Sequence, residues 1–244
     1  MNWEKDYVYE IETEVADLNE CNVLKPYAYQ KLFAKVAEQH LNRINVNVDT
    51  TMKSNLAWVL VSLSFELTKP VEGCVKMFAQ TWYSQRKGPY FRREIVFKDE
   101  KGEVIFQGST FSVLLDVEKR TIYRKKELPF AISEPVEDFT IEACPTFKTG
   151  MDFCKVDERK VYNSYIDCLG HVNNCRYGEF AYDIFTGEEC LKLNKLKRMD
   201  FYFLSELRAK DTFSILKAYE DNRILVRGHN DIKNDVSFDI IMEF

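Results

Sequence analysis

Along most of this chain apolar and polar positions alternate, or cluster in runs of strand length, and only two stretches keep helical spacing. Residues 7–15, VYEIETEVA, alternate and predict a first strand. Pro26 then opens PYAYQKLFAKVAEQHLNRI, where Leu32, Phe33, Val36, Ala37 and His40 recur at helical spacing. Proline suits the first turn of a helix, where its missing N–H leaves no bond unmade. Four strands are predicted next, at 56–67 (ended by Lys69-Pro70), 73–83, 90–98 and 103–115. Between the last two, Asp99-Glu100-Lys101-Gly102 predicts a hairpin turn, with the glycine supplying a positive φ.

Residues 129–150 break this pattern. Pro129, Pro135, Pro145 and Gly150 stand among acidic residues, which reads as a connector between domains. The element order then returns: a strand at 158–166, a polar loop, a helix within CRYGEFAYDIFTG, and strands at 197–205, 211–220, 222–229 and 235–243. Sliding the sequence by 150 residues puts Asp17 on Asp167, Tyr27 on Tyr177 and Cys21 on His171. Two copies of strand, helix and antiparallel meander predict an α+β protein with domains at 1–128 and 151–244, joined by 129–150.

Composition narrows the function. With only 9 Gly and 6 Pro, disordered and collagen-like chains are excluded. A net charge of −5 argues against general nucleic-acid binding, because such a chain repels the phosphate backbone. No run reaches the roughly 18 uncharged apolar residues of a membrane span, and the start, MNWEKDYVYEIE, is charged where a signal peptide is apolar. A soluble, cytoplasmic protein is expected. The seven cysteines are odd in number and lack a C-x-x-C spacing, so reduced thiols are expected. The three histidines, His40, His171 and His229, have no zinc-ligand spacing, and no metal or cofactor is predicted. His40 falls on the apolar helix face and reads as packing. Trp58, Phe65, Trp82, Phe91 and Phe111 read as sheet core or as the lining of an apolar cavity.

The second strand–helix junction, Tyr165 to Tyr177, concentrates polar groups. Asp167, Gly170, His171, Asn173 and Asn174 lie within eight residues, just before a helix. Gly170 lets the chain turn and approach a ligand, and Asn173 or Asn174 can cap the helix. A helix start offers N–H groups to developing negative charge. A carboxylate, an imidazole and backbone donors in one loop are the parts needed for attack on a carbonyl. The first copy, Asp17 to Asn22, has no His, Gly or paired Asn, so it is expected to shape a cavity instead of doing chemistry.

The run Asp167, Gly170-His171-Val172-Asn173-Asn174 and Tyr177 resembles hotdog-fold acyl thioesterases. The double layout is similar to the bacterial and plant acyl-ACP thioesterase family, which fuses two hotdog domains. In the first half Trp58-Val59-Leu60, Thr81-Trp82, Arg92-Arg93, Asp99 to Glu103, and Leu115-Asp116 with Arg120 and Arg124 follow the family's pattern. The resemblance implies two tandem hotdog domains, each an antiparallel sheet wrapped around a long helix. The family's catalytic pattern, Asp-x-Asn-x-His-x-Asn-Asn followed by a later Glu, falls on Asp167, His171, Asn173, Asn174 and Glu206. Its Asn falls on Leu169, which can neither donate nor accept a side-chain hydrogen bond.

The resemblance implies release of a free fatty acid from acyl-acyl carrier protein. Water polarised by Glu206 and His171 would attack the thioester, with Gly170, Val172, Asn173, Asn174 and Arg176 around the substrate. Alternatives are an acyl-CoA thioesterase with Asp167 as base or nucleophile, and a non-catalytic acyl-binding or dehydratase-like hotdog protein. The carrier is acidic, so the basic runs at 119–126 and 192–198 are candidate docking patches. Two hotdog halves in one chain fit either a monomer or a homodimer.

Overall fold

In a computed structural model that describes residues 3–244, the chain divides into two compact units. The first holds the chain through Glu12 with Leu32–Glu66 and Val75–Pro145. The second holds Thr13–Lys31, Leu67–Cys74 and Thr146–Phe244.

The elements of the first half run β1 (Tyr9–Glu12), α1 (Pro26–Arg43), α2 (Val48–Met52), β2 (Leu56–Leu67), β3 (Lys76–Lys87), β4 (Tyr90–Lys98), β5 (Val104–Asp116) and the short β6 (Thr121–Ile122). Their order in the sheet is β1-β3-β4-β5-β2, with β6 on β5. The expected strands 56–67 and 90–98 are recovered residue for residue, and the expected 73–83 begins later, at Lys76. β1 is shorter than 7–15 because Val15–Asp17 turn into a 3-10 helix. The five-residue α2, which Asn47 caps by accepting the Thr50 N–H at 3.0 Å, is too short for periodicity to show.

α1 packs on this sheet through Phe33. Its ring lies 5.5 Å from Phe65 and 5.3 Å from Phe97, and Phe97 stacks on Phe106 at 4.2 Å. Gly108 makes room, since a Cβ there would meet the Ser64 carbonyl and the side chains of Phe65 and Phe33. His40 is fully buried, with Nδ1 2.9 Å from the Tyr9 hydroxyl, and serves packing as expected. Residues 129–150 form no helix or strand. Buried Glu94 holds part of this segment, accepting the Thr140 N–H (3.1 Å) and hydroxyl (2.7 Å) as well as Arg92 Nε (2.6 Å). Arg92 also donates to the Ile141 carbonyl at 2.6 Å.

The second unit contains β7 (Cys154–Lys160), α3 (Asn174–Asp183), α4 (Gly187–Lys192), β8 (Arg198–Phe203), β9 (Thr212–Glu220), β10 (Arg223–Asn230) and β11 (Asp235–Glu243). The strands order β8-β11-β10-β9-β7, every neighbour antiparallel. The expected strand 158–166 is displaced: β7 ends at Lys160 and residues 163–165 form a 3-10 turn. The Val161 N–H bonds to the Asp211 carbonyl at 2.9 Å, so the chain leaves the sheet there.

α3 presents Tyr177 and Phe180 to the sheet, with Tyr177 stacked on Phe238 at 4.6 Å and Phe180 5.0 Å from Phe213. It is shorter than α1 because a new helix starts at Thr186. That residue accepts the Glu189 N–H while the Glu189 carboxylate accepts the Thr186 N–H. Glu189 is buried and also pairs with Lys217 at 2.8 Å and the Tyr219 hydroxyl at 2.8 Å. Burial alone would raise its pKa, but hydrogen bonds from Lys217, Thr186 and Tyr219 hold it below the usual glutamate value. No helix among the described residues is long and apolar enough to cross a membrane.

Candidate active site

A five-residue loop carries the candidate acid and base. The Asp167 N–H donates to the His171 carbonyl at 2.9 Å, and the Gly170 N–H donates to the Asp167 carbonyl at 3.0 Å. Gly170 has φ +80°, a left-handed conformation that glycine adopts without strain. Asp167 Oδ1 accepts the Leu169 N–H at 2.9 Å, which leaves Oδ2 facing His171 Nδ1 at 3.4 Å. Both side chains are about one-fifth exposed, so the pair is accessible from one side. Leu169, where the family pattern has Asn, is 53% exposed.

The helix start is closed by its own residues. Asn173 caps α3, its Oδ1 accepting the Cys175 N–H at 3.0 Å. The Asn173 N–H donates to the Tyr165 carbonyl at 2.9 Å, and the Val172 N–H to the Leu207 carbonyl at 2.8 Å. Asn174 is the first helical residue, where a backbone N–H has no intrahelical acceptor. Arg176 is tied to Glu179 (2.6 Å) and to the Ser164 carbonyl (3.2 Å). Burial pushes the Cys175 thiol up to about 11, which removes it as a nucleophile at neutral pH.

Glu206 arrives from the segment after β8. His171 pairs antiparallel with Arg208, and Val172 bonds to Leu207. These two links run the Glu206–Arg208 segment alongside the His171 loop. The Tyr177 hydroxyl accepts the Leu207 N–H at 3.4 Å. Arg208 Nη2 and Nε lie 2.7 Å and 3.2 Å from one Glu206 oxygen. Lys233 Nζ donates to the Glu206 carbonyl at 2.7 Å. Sequence reading passed over Arg208 and Lys233; for Arg208 the usable signal was a charge two residues past Glu206.

The first copy of the loop has the same wiring, but at an offset of 148 residues, not 150. The bridge Leu18–Leu24 matches Ile166–Val172, and the Asn19 N–H bonds to the Val23 carbonyl as Asp167 bonds to His171. Asn22, with φ +61°, stands where Gly170 does. Thus Asn19 corresponds to Asp167 and Val23 to His171. Tyr29 corresponds to Tyr177, its hydroxyl accepting the Val71 N–H at 2.9 Å. The pairings of Asp17 with Asp167, Tyr27 with Tyr177 and Cys21 with His171 are chance matches two positions out of register.

Elsewhere, Arg124 and Lys126 of the basic run 119–126 line a surface groove of about 750 Å³ together with Arg86, Ser133 and Glu134. In the run 192–198, Lys192, Lys195 and Lys197 are exposed and Arg198 pairs with Asp200 at 2.9 Å. His229 lies 3.4 Å from Asp231. Among the described residues no cluster of three or more His, Cys, Asp or Glu could hold a metal.

Two strand sets of matching order, each backed by a helix, with an Asp–His loop before the second helix, define a double hotdog protein. Residues 4–128 match the model of the acyl-ACP thioesterase N-terminal domain, and residues 152–244 that of the C-terminal domain. The chain belongs to the acyl-ACP thioesterase family and is a thioesterase acting on acyl thioesters. An acyl-ACP thioesterase from Bacteroides thetaiotaomicron is 20% identical and superposes with a TM-score of 0.79, covering 98% of this chain and 97% of that one. The 12:0-ACP thioesterase from Umbellularia californica is 12% identical, with a TM-score of 0.76 over 97% and 96% of the two chains. No curated protein matches the chain.

Proposed function

We propose that the enzyme releases free fatty acid from acyl-acyl carrier protein, with Glu206 and His171 activating a water. The observation that carries this reading is the antiparallel pairing of His171 with Arg208, which sets the Glu206 segment beside the Asp167–His171 pair. Water attacks the thioester carbonyl carbon, and its proton passes to the Glu206–His171 pair. The carbon–sulfur bond breaks as the carbonyl reforms, and the proton is returned to the departing thiolate. Asp167 orients His171 through the 3.4 Å contact. Asp167 as nucleophile is less favoured, since one of its oxygens already accepts the Leu169 N–H and the other faces the imidazole. With the Gly170, Val172 and Asn173 N–H groups bonded within the fold, the Asn174 N–H at the start of α3 serves as a backbone donor to the oxyanion.

The carrier reading is supported by the groove at Arg86, Arg124 and Lys126, whose cations outnumber its one carboxylate, Glu134. Such a surface suits an acidic partner and would steer it more weakly at high salt. The domains proposed for these tasks are 1–128 for shaping the cavity, 129–150 as the connector and 151–244 for chemistry, with the basic runs at 119–126 and 192–198 as the docking surface.

The test is thiol release from a panel of acyl-ACPs and the matching acyl-CoAs, with the native chain, Glu206→Ala and His171→Ala. Loss of release in both folded variants supports the water mechanism, and full activity in either one refutes it. Salt-sensitive preference for acyl-ACP, lost in Arg124→Glu, supports the carrier; a salt-independent preference for acyl-CoA overturns it.

A further inference from the structure

We infer that Arg208 is a positioning residue that sets the orientation of the Glu206 carboxylate, an inference that rests on the catalytic role proposed for Glu206. Two guanidinium nitrogens, Nη2 at 2.7 Å and Nε at 3.2 Å, donate to the same glutamate oxygen, Oε2. A guanidinium that donates two N–H bonds to one oxygen anchors Oε2 and so restricts where the second oxygen, Oε1, can point.

The backbone under Arg208 is itself fixed. Its N–H donates to Asp211 Oδ2 at 2.9 Å, and its carbonyl accepts the Asp211 N–H at 3.0 Å. Asp211 Oδ2 also accepts Asn230 Nδ2 at 2.8 Å, and Asn230 is fully buried. Lys233, reaching from beyond β10, holds the Glu206 carbonyl at 2.7 Å and lies 3.6 Å from Asp211. On the other side Arg208 pairs with His171. The turn from Glu206 to Asp211 is therefore pinned at both ends, with the Arg208 backbone bridged to His171 while its guanidinium holds the Glu206 carboxylate. An ion pair this exposed, at 49% and 34%, adds little to stability, so its geometry is better read as serving the carboxylate it holds.

The experiment is a double-mutant cycle on the full chain, measuring kcat, KM and thermal midpoint for Arg208→Gln, Arg208→Lys, Glu206→Gln and the double variant Glu206→Gln with Arg208→Gln. The expected result is a kcat for Arg208→Gln lowered about tenfold to a hundredfold, with KM and midpoint near native. Arg208→Lys recovers only part of kcat, because an ammonium lacks the planar fork. In the Glu206→Gln background the Arg208→Gln change costs nothing further. If Arg208→Gln lowers kcat by the same factor in both backgrounds, the guanidinium acts on something other than Glu206 and the inference is overturned. Native kcat in Arg208→Gln, beside a strong loss in Glu206→Gln, overturns the inference while leaving the role of Glu206 standing. Native kcat in Glu206→Gln removes both.

Discussion

The Tyr177 hydroxyl and the Leu207 N–H join the helix that follows the Asp167–His171 loop to the residue directly after Glu206, across 3.4 Å. Leu207 is fully buried, so its N–H has no water to turn to. The first copy repeats the joint with Tyr29 and Val71 at 2.9 Å, but there the preceding residue is Pro70. Burial pushes the Tyr177 hydroxyl up to about 12, so it stays protonated across the working pH range.

Tyr29→Phe and Tyr177→Phe are expected to separate architecture from catalysis. Each leaves a buried N–H unpaired, at a cost of about 1–3 kcal/mol. The shorter bond at Tyr29 predicts the larger loss, read from urea midpoints. Only Tyr177→Phe should also lower kcat, because only its partner adjoins a carboxylate. Equal kcat in the two variants would show that the joint does not position Glu206.

The repeat was legible in the sequence as an order of elements, but not as a register. Identities favoured an offset of 150 because Asp17 and Tyr27 happen to match Asp167 and Tyr177. The residues that do correspond are Asn19 with Asp167, Val23 with His171 and Asn22 with Gly170. These pairs share backbone conformation and hydrogen bonding, not side chains, so identity could not find them. β2 and β4 were read to the residue because strand-length runs rich in apolar and β-branched residues, bounded by turn residues, are local signals. Glu189 with Lys217 and Glu94 with Arg92 were invisible for the opposite reason. A charge in sequence reads as solvated, and only its distant partner explains its burial.

Gly178 is the close-packed point of α3. A Cβ there would stand 3.0 Å from Gln30 Oε1, 3.0 Å from Tyr27 Cβ and 3.1 Å from Tyr27 Cα. Tyr27 Cα and Cβ belong to a helix and cannot step aside cheaply. Gly178→Ala should therefore destabilise by about 1–3 kcal/mol, although alanine favours a helix by up to about 1 kcal/mol. Gly187 meets nothing within 4 Å, so Gly187→Ala should be neutral or stabilising by up to about 1 kcal/mol. Paired denaturation curves check both, and a stabilised Gly178→Ala would contradict the packing.

Glu189 makes stability depend on acid. Its folded pKa lies below the ordinary glutamate value, so its contribution is fully present above the unfolded pKa and is lost as pH falls through the folded one. Glu189→Gln leaves Lys217 buried beside a neutral amide. Near pH 7 that should cost about 3–5 kcal/mol, as for a broken buried pair. The gap between native and variant midpoints should close as pH drops below the carboxylate range. Melting curves from pH 7 down to pH 3 test the sign, and a gap that widened in acid would refute it.

Leu169 offers a gain-of-function experiment. It stands in the turn between Asp167 and Gly170, is 53% exposed, and donates its N–H to Asp167 Oδ1. Asparagine is a favoured turn residue, so Leu169→Asn should leave stability within about 0.5 kcal/mol of native. It would restore the amide that the family pattern carries between Asp167 and His171. A side-chain donor aimed at an oxyanion is typically worth about 3 kcal/mol, or roughly a hundredfold in rate. If the native enzyme lacks that donor, kcat for thiol release should rise toward this factor with KM unchanged. If kcat stays flat in a well-folded variant, backbone donors such as the Asn174 N–H already complete the oxyanion site, and removing the capping side chain with Asn173→Ala should then lower kcat by disturbing the start of α3.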